Sequence, residues 1–191
     1  MPPALYLLSG FPGVGKLTVA TGLAQRLEAG GETVRVVDNH WINNPIFGLV
    51  EQDGLTPLPL AVWDRVGEVA DAVLKTVEEL TPASWNLIFT AYVDGVTDAD
   101  YFPRIVDVAA ARNATLVPVR LLCDADENAR RIVAPGRREH MKSVDADEPY
   151  RLAGLGPPFD PGHPNTLSLD ITTVEPNEAS EAILAHRRSL P

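Results

Sequence analysis

One short motif constrains this chain more than any other feature, the segment Gly10–Lys16 (GFPGVGK). Before it, Ala4–Ser9 is a continuous apolar run typical of a strand buried on both faces, and after it Lys16–Glu28 has apolar residues at helical spacing. Glycines in such a loop let backbone N–H groups point at a phosphate, the helix N-terminus adds positive potential, and the lysine reaches the terminal phosphate oxygens. The motif therefore predicts a triphosphate-binding loop with candidate contacts at Gly10, Pro12, Gly13, Val14, Gly15, Lys16, Leu17 and Thr18.

Two other interpretations of this motif can be weighed. A glycine-rich turn with an unrelated lysine would not need both the strand and the helix that flank the loop. A dinucleotide-binding fingerprint is imitated by Gly13, Gly15 and the later Asp38, but its third glycine is Thr18 here. The lysine beside Gly15 would also intrude where a pyrophosphate lies on bare backbone.

Leu17 departs from the usual pattern, because the residue after the lysine is normally a Ser or Thr whose hydroxyl binds Mg²⁺. Thr18 supplies a hydroxyl one position later. Because one residue turns a helix by about 100°, this hydroxyl should face the α-phosphate side more than the usual metal position. Either Mg²⁺ is held by the nucleotide, water and a carboxylate, or phosphoryl transfer is impaired.

Strands and helices alternate along the rest of the chain. Apolar runs predict strands at 33–38, 85–91, 115–122 and 167–172, and helical spacing predicts helices at 60–80, 99–112, 124–133 and 176–188. Pro118 suggests that its strand lies at an edge or contains a bulge. The alternation predicts one α/β domain over residues 1–191, a three-layer sandwich around a parallel sheet whose ligands bind beyond the carboxyl ends of the strands.

Composition excludes several partners. The 191 residues include 16 Lys and Arg against 26 Asp and Glu, so the net charge of -10 repels nucleic acid and anionic membranes. The single cysteine, Cys123, permits no intrachain disulfide and suits a reducing compartment. No stretch resembles a signal peptide or a membrane span, so we expect a cytoplasmic protein.

Residues Asp38–Trp41 (DNHW) follow the second predicted strand and would lie next to the phosphate loop. Asp38 could accept a proton from an acceptor hydroxyl or hold a hydrated Mg²⁺, although Asp38 and Asn39 could also form only a turn. His40 and Trp41 could bind the acceptor through a hydrogen bond and a stacking face.

The segment after the third predicted strand offers weaker candidates. Tyr92 could line the acceptor cavity, or only pack against its neighbours. Asp94 could be a second metal-associated carboxylate, and Asp94-Gly95 fits a plain turn equally well.

Two loop segments could cover the site. Residues 130–142 concentrate basic side chains on an acidic chain, and a helix C-terminus explains Arg130 and Arg131 but not the three cations beyond Pro135-Gly136. We therefore expect a lid over 130–150, in which Arg131 binds the nucleotide and Arg137 and Arg138 stabilise the transferring phosphoryl group. The Pro- and Gly-punctuated stretch 41–60 could be a flap on the substrate side or a packed connecting loop.

Residues 10–18, within a chain of this length, resemble the small-molecule kinase branch of the P-loop proteins, which includes shikimate kinase, gluconate kinase, chloramphenicol phosphotransferase and the nucleoside monophosphate kinases. The resemblance covers the domain in element order, but only the phosphate loop is specific. It implies a P-loop NTPase fold with a five-stranded parallel sheet in the order 2-3-1-4-5. It also implies ATP and Mg²⁺ as cofactors, an acceptor held opposite ATP by an aspartate after the second strand, and an arginine-bearing lid.

These observations predict ATP-dependent phosphorylation of a hydroxyl group on a small molecule. Lys16, Asp38, Arg137 and Arg138 are the expected catalytic residues, and Thr18 and Asp38 are the candidates for holding Mg²⁺. One alternative is a nucleoside monophosphate kinase, although residues 38–80 offer only Arg65 and Lys75 as cations for a phosphorylated acceptor. The other is an inactive nucleotide-binding regulatory module, suggested by the missing hydroxyl at Leu17.

Overall fold

The computed structural model describes residues 2–93 and 100–191. The strands are β1 (Ala4–Ser9), β2 (Val34–Val37), β3 (Asn86–Ala91), β4 (Thr115–Leu122) and β5 (Leu167–Asp170). The helices are α1 (Lys16–Ala29), α2 (Asn39–Phe47), α3 (Leu60–Glu79), α4 (Tyr101–Ala111), α5 (Ala125–Ile132), α6 (Glu148–Leu155) and α7 (Pro176–Ser189), with a short 3-10 helix at Arg138–His140.

All five strands are parallel and lie in the order β2-β3-β1-β4-β5, as predicted. The central strand is β1, where Leu8 is paired with Thr90 of β3 and with Val119 of β4. Because parallel strands end at the same edge of the sheet, this order brings the loop after β1 and the segments after β2 and β3 together.

Side chains of β1 alternate between two hydrophobic cores on opposite faces of the sheet. Ala4, Tyr6 and Leu8 pack with residues of α1 and α7. Leu5 and Leu7 pack with residues of α3 and α4. Since β1 is covered on both faces, its sequence is continuously apolar, and the architecture is the three-layer sandwich that the alternation of elements predicts.

Three features differ from the sequence-based expectation. Pro118 lies in β4, which is between β1 and β5 and not at an edge of the sheet. Because β4 pairs with β5 only from Val119 onward, the missing N–H of Pro118 breaks no hydrogen bond to β5. Helix α2 occupies the first part of the expected flap 41–60 and includes Pro45, which disguises the helix in the sequence. Helix α6 was also not predicted. In the described part of the chain, no helix is long and apolar enough to cross a membrane.

Candidate functional site

The phosphate loop between β1 and α1 is tightly supported from one side and open on the other. Gly10, Gly13 and Gly15 have φ values of 154°, 89° and 102°. A Cβ at Gly10 would lie 2.6 Å from the Leu121 carbonyl oxygen, and one at Gly13 would lie 2.5 Å from Asn128 Oδ1 of α5. A Cβ at Gly15 would meet nothing within 4 Å. The open side of the loop is therefore at Gly15.

Gly15 is also the N-cap of α1, and no side chain caps the helix. The first-turn N–H groups of a helix have no partners within the helix, so they require an external acceptor. An uncapped N-terminus that follows an open glycine loop is a suitable site for an anion such as a phosphate.

Lys16 lies at the same point and folds back over the loop. Its ammonium group donates hydrogen bonds to the carbonyl oxygens of Gly10 (2.8 Å) and Phe11 (3.0 Å). Burial lowers the pKa of Lys16 to about 7, and the positive charge of Arg137 contributes in the same direction. The negative charge of Asp38 opposes this shift. The lysine is thus held among other charged groups with its positive form disfavoured, and an anionic ligand would stabilise that form.

Arg131, an expected nucleotide contact, forms hydrogen bonds to the backbone of the phosphate loop and of a neighbouring segment. Its guanidinium donates to the carbonyl oxygens of Val14 (3.2 Å), Ile171 (3.0 Å) and Thr172 (3.1 Å) and to the Glu127 carboxylate (2.6 Å). These contacts tie the phosphate loop to the segment after β5.

Thr18 and Leu17 face the same groove, of about 460 Å³, between α1 and α7. Thr18 is exposed and Leu17 half-buried there. Among the described residues, no hydrogen bond joins Thr18 to Asp38, the other metal candidate, whose side chain bonds to Thr90.

Asp38 is the buried carboxylate of the site, with 6% of its surface exposed. It is the N-cap residue of α2 but does not cap that helix with its side chain. Its Oδ1 accepts a hydrogen bond of 2.6 Å from the Thr90 hydroxyl of β3, and that hydroxyl also lies 3.3 Å from Asn39 Oδ1. Asp38 is therefore fixed across two neighbouring strands, and it is one of the charges that act on Lys16.

The other three acceptor candidates have different environments. His40 Nδ1 lies 3.2 Å from Asn44 Oδ1, and burial lowers the pKa of His40 although the negative charge of Asp38 opposes this. Trp41 is 65% exposed. Tyr92 packs against Phe11 of the phosphate loop with ring centroids 6.2 Å apart. Asp94 and Gly95 lie outside the described residues.

The two candidate arginines of the expected lid segment, Arg137 and Arg138, have different environments. Arg137 is half-buried, donates to the Ser143 carbonyl oxygen at 3.0 and 3.1 Å, and acts on Lys16. Burial lowers the pKa of Arg137. Arg138, the next residue, is exposed.

Two residues that sequence reasoning did not assign to the site also act on Lys16. The positive charge of Lys142 lowers the pKa of Lys16, and the negative charge of Glu148 raises it. Lys142 also acts on His40. Thr90, whose hydroxyl donates a hydrogen bond to Asp38, is a third residue of the site that sequence reasoning did not identify. Lys142 was visible within the basic stretch, but no sequence signal identifies Glu148 or Thr90.

The expected lid segment contacts helices α2 and α3 and the loop between them. Met141, with a left-handed φ of 54°, packs into a hydrophobic cluster of α2 and α3 that includes Ile42 and Phe47. The Val144 N–H donates to the carbonyl oxygen of Gly54, in the loop between α2 and α3. The segment expected to form a lid therefore contacts the loop between α2 and α3.

No protein-family model and no curated protein matches the chain. Solved structures match its fold over nearly the whole length. A proposed kinase from Chloroflexus aurantiacus has a TM-score of 0.68 at 19% identity, covering 98% of this chain and 97% of that one. The APS kinase of Mycobacterium tuberculosis, in complex with AMPPNP and APS, has a TM-score of 0.64 at 14% identity, covering 98% and 99%. A gluconokinase from Sinorhizobium meliloti has a TM-score of 0.62 at 14% identity, covering 96% and 91%. The chain has the fold of the P-loop small-molecule kinases.

Proposed function

We propose that this chain, on the fold of the P-loop small-molecule kinases, is an ATP-dependent phosphotransferase that phosphorylates a hydroxyl group of a small molecule. One observation carries the proposal: an open phosphate loop with its lysine and a buried aspartate share one electrostatic environment at the carboxyl edge of the sheet.

On the nucleotide side, the N–H groups of Gly13, Gly15 and Lys16 would bind the phosphates. Lys16 and the lid cation Arg137 would stabilise the charge on the phosphoryl group during transfer, when it is spread over three oxygens. Arg131 would act on the nucleotide mainly through the loop that it braces. Arg138 would have to turn inward to take part.

On the acceptor side, Asp38 would orient the acceptor and take its proton. The acceptor oxygen forms a bond to the γ-phosphorus, the bond from that phosphorus to the β–γ bridging oxygen breaks, ADP leaves, and the hydroxyl proton passes to the Asp38 carboxylate. The Thr90 hydrogen bond holds Asp38 in one orientation, so positioning contributes as well as proton transfer.

Mg²⁺, bound together with the nucleotide, would supply positive charge that neutralises part of the charge on the phosphates. The residues fit a metal ion that arrives with the nucleotide better than a resident one: Leu17 has no ligand atom, Thr18 faces the α1–α7 groove, and no cluster of three metal-ligating side chains occurs in the described segments. Asp38, with the Thr90 and Asn39 oxygens beside it, is the oxygen-rich group that suits this ion.

The direct test is ADP release with Mg-ATP and a panel of sugars, hydroxy acids, nucleosides and antibiotics, first ranked by thermal shift. We expect transfer to at least one acceptor, and a loss of at least about a hundredfold in Lys16→Ala with an unchanged circular dichroism spectrum. The matched control is Lys75→Ala, because the Lys75 side chain is 72% exposed on α3. Wild-type turnover in Lys16→Ala would contradict the proposal.

The same panel separates the alternatives. ATP binding without transfer to any acceptor, and activity gained in Leu17→Ser, would favour an inactive regulatory module, which the missing hydroxyl at Leu17 suggests. Preference for nucleoside monophosphates would favour the nucleotide kinase. Arg65 and Lys75, the cations of α3, are each bound to a glutamate of the same helix and are not placed for that role.

A further inference from the structure

The expected lid segment holds Arg137 through one backbone carbonyl. The Nε and Nη2 groups of Arg137 donate hydrogen bonds of 3.1 and 3.0 Å to the Ser143 carbonyl oxygen, which fixes one edge of the guanidinium. Its remaining nitrogen, Nη1, donates to no residue in the described part of the chain. Arg137 is half-buried, and its positive charge acts on Lys16. The orientation of the free Nη1 group therefore depends on where the Ser143 carbonyl lies.

The position of Ser143 is set in turn by Glu148, the first residue of α6. The Ser143 hydroxyl donates a hydrogen bond of 2.5 Å to Glu148 Oε2. The Glu148 N–H donates to the Asp145 carbonyl oxygen at 3.2 Å, so the two hydrogen bonds close a compact turn before the helix. On the other side, the Val144 N–H donates to the Gly54 carbonyl oxygen at 3.0 Å. The carbonyl that holds the arginine is therefore fixed from both sides.

The charge of Glu148 also acts on both cations of the phosphate site. Burial lowers the pKa values of Lys16 and Arg137, and the negative charge of Glu148 opposes the shift at both groups. The nearby Asp145 is instead paired with Arg151 at 2.8 Å. A glutamate in the first turn of a helix also interacts favourably with the helix dipole, but that interaction does not need a hydrogen bond to Ser143. Glu148 thus has a second role beside the start of its helix.

We propose that Glu148 is a positioning residue: its hydrogen bond with the Ser143 hydroxyl holds the Ser143 carbonyl, and this carbonyl orients Arg137 for contact with the terminal phosphate of a bound nucleotide. The inference rests on the proposed function, which gives Arg137 that contact. An arginine that is already held in one orientation loses less conformational entropy when the phosphate binds.

The test compares ATP with ADP, because Arg137 would contact the phosphate that ATP alone carries. Isothermal titration with Mg-ATP and with Mg-ADP gives the ratio of the two affinities for each variant. We expect Arg137→Ala to lower the preference for ATP by about tenfold to a hundredfold, since a hydrogen bond between charged groups is lost. Ser143→Ala, which removes only the hydroxyl, should lower it by about threefold to tenfold.

Two substitutions of Glu148 separate its hydrogen bond from its charge. Glu148→Ala and Glu148→Gln remove the same negative charge, but glutamine keeps an oxygen that accepts from the Ser143 hydroxyl. We expect Glu148→Gln to prefer ATP at least as strongly as the wild type, and Glu148→Ala to show a preference about threefold to tenfold weaker than Glu148→Gln. The control is Glu139→Ala, which removes an acid at an exposed position of the same segment and should leave the preference unchanged.

A double-mutant cycle shows whether Glu148 acts through Arg137. In the Arg137→Ala background, Glu148→Ala and Glu148→Gln should prefer ATP equally, because no arginine remains to be oriented. An undiminished difference in that background, equal preferences in the two single variants, or a wild type that binds ATP no more tightly than ADP would overturn the inference. If Glu148→Ala does not fold, Ser143→Ala with and without Arg137 decides the same question.

These measurements use nucleotide alone, so they are independent of whether an acceptor is found. A failure to transfer phosphate to any acceptor, with the cycle as expected, would contradict the kinase function and leave the positioning of Arg137 supported. Transfer to an acceptor with additive effects of Arg137→Ala and Glu148→Ala on the preference for ATP would do the reverse.

Discussion

In the proposed function, the nucleotide side of the site is built mainly from backbone, whereas the acceptor side is built from side chains. The phosphate loop takes its shape from three glycines at positive φ, and packing against Leu121 and Asn128 fixes two of them. The acceptor side consists of Asp38, held by Thr90 from another strand, and of polar residues on α2. A backbone site recognises a group common to many ligands, while a side-chain site can change its ligand through single substitutions.

The largest effect is expected from a substitution that changes only the acceptor side. In Asp38→Asn we expect ATP to bind as in the wild type, because the phosphate loop is untouched, while transfer falls by about two or more orders of magnitude through the loss of proton acceptance. Isothermal titration with ATP and the kcat for the best acceptor give the two values. Unchanged transfer would return Asp38 to a role in the turn before α2.

A pair of glycine substitutions should then distinguish the packed part of the phosphate loop from its open part. In Gly13→Ala the new methyl group would lie 2.5 Å from Asn128 Oδ1 and 3.0 Å from Ile132 Cβ at a φ of 89°, so we expect the free energy of unfolding to fall by about 3 kcal/mol. In Gly15→Ala the methyl group meets no protein atom, so only the positive φ costs about 1–2 kcal/mol, but the methyl occupies the open side where a phosphate would lie.

Denaturant unfolding and ATP titration of both variants check this division. Gly13→Ala should lose mainly stability and Gly15→Ala mainly ATP affinity. The control is Gly67→Ala within α3, where nothing lies within 4 Å of the added methyl and alanine should stabilise the helix by about 0.5–1 kcal/mol. Equal stability losses at Gly13 and Gly15 would mean that the packing of α5 against the loop contributes nothing.

This contrast also explains how much could be predicted from the sequence. The phosphate loop was predictable because it is a run of consecutive residues with a recognisable spacing, and the sheet order followed from the family resemblance that this run carries. Asp38 was expected next to the loop from its position after a strand, and its charge acts on Lys16 in the structure. Its partner Thr90 is 52 residues away, and only the pairing of β2 with β3 brings them together.

The lid shows the same limit on prediction. Arg137 and Arg138 are adjacent and chemically identical, so sequence reasoning gave them one role. In the structure Arg137 donates hydrogen bonds to the Ser143 carbonyl oxygen and its charge acts on Lys16, whereas Arg138 is exposed. Helix α2 was missed because Pro45 removes one backbone donor, but the helix is stabilised by burying Ile42 and Phe47 against α3. Tertiary packing decides both cases, and it leaves no local pattern.

The smallest predicted effect concerns proton binding at Lys16. Its pKa of about 7 in the free protein lies well below the ordinary value of 10.5, mainly because of burial, and bound phosphates would restore the charged form. ATP binding at pH 8 should therefore take up close to one proton, and the affinity should fall as the pH rises from about 7 to 10. The stability of the free protein should change in the opposite direction, because the unfolded chain binds more protons than the folded one in that window.

Titration calorimetry with ATP in two buffers of different ionisation enthalpy measures the proton uptake directly. In Lys16→Arg the uptake should disappear, because a guanidinium stays charged throughout this range. An unchanged uptake in Lys16→Arg would assign the proton to another group, with His40 and Lys142 as the neighbours to test, and would show that the lysine enters the site already charged. The carbonyl oxygens of Gly10 and Phe11 would then be sufficient to hold an ammonium ion, and the free loop would be ready for a phosphate without any change in protonation.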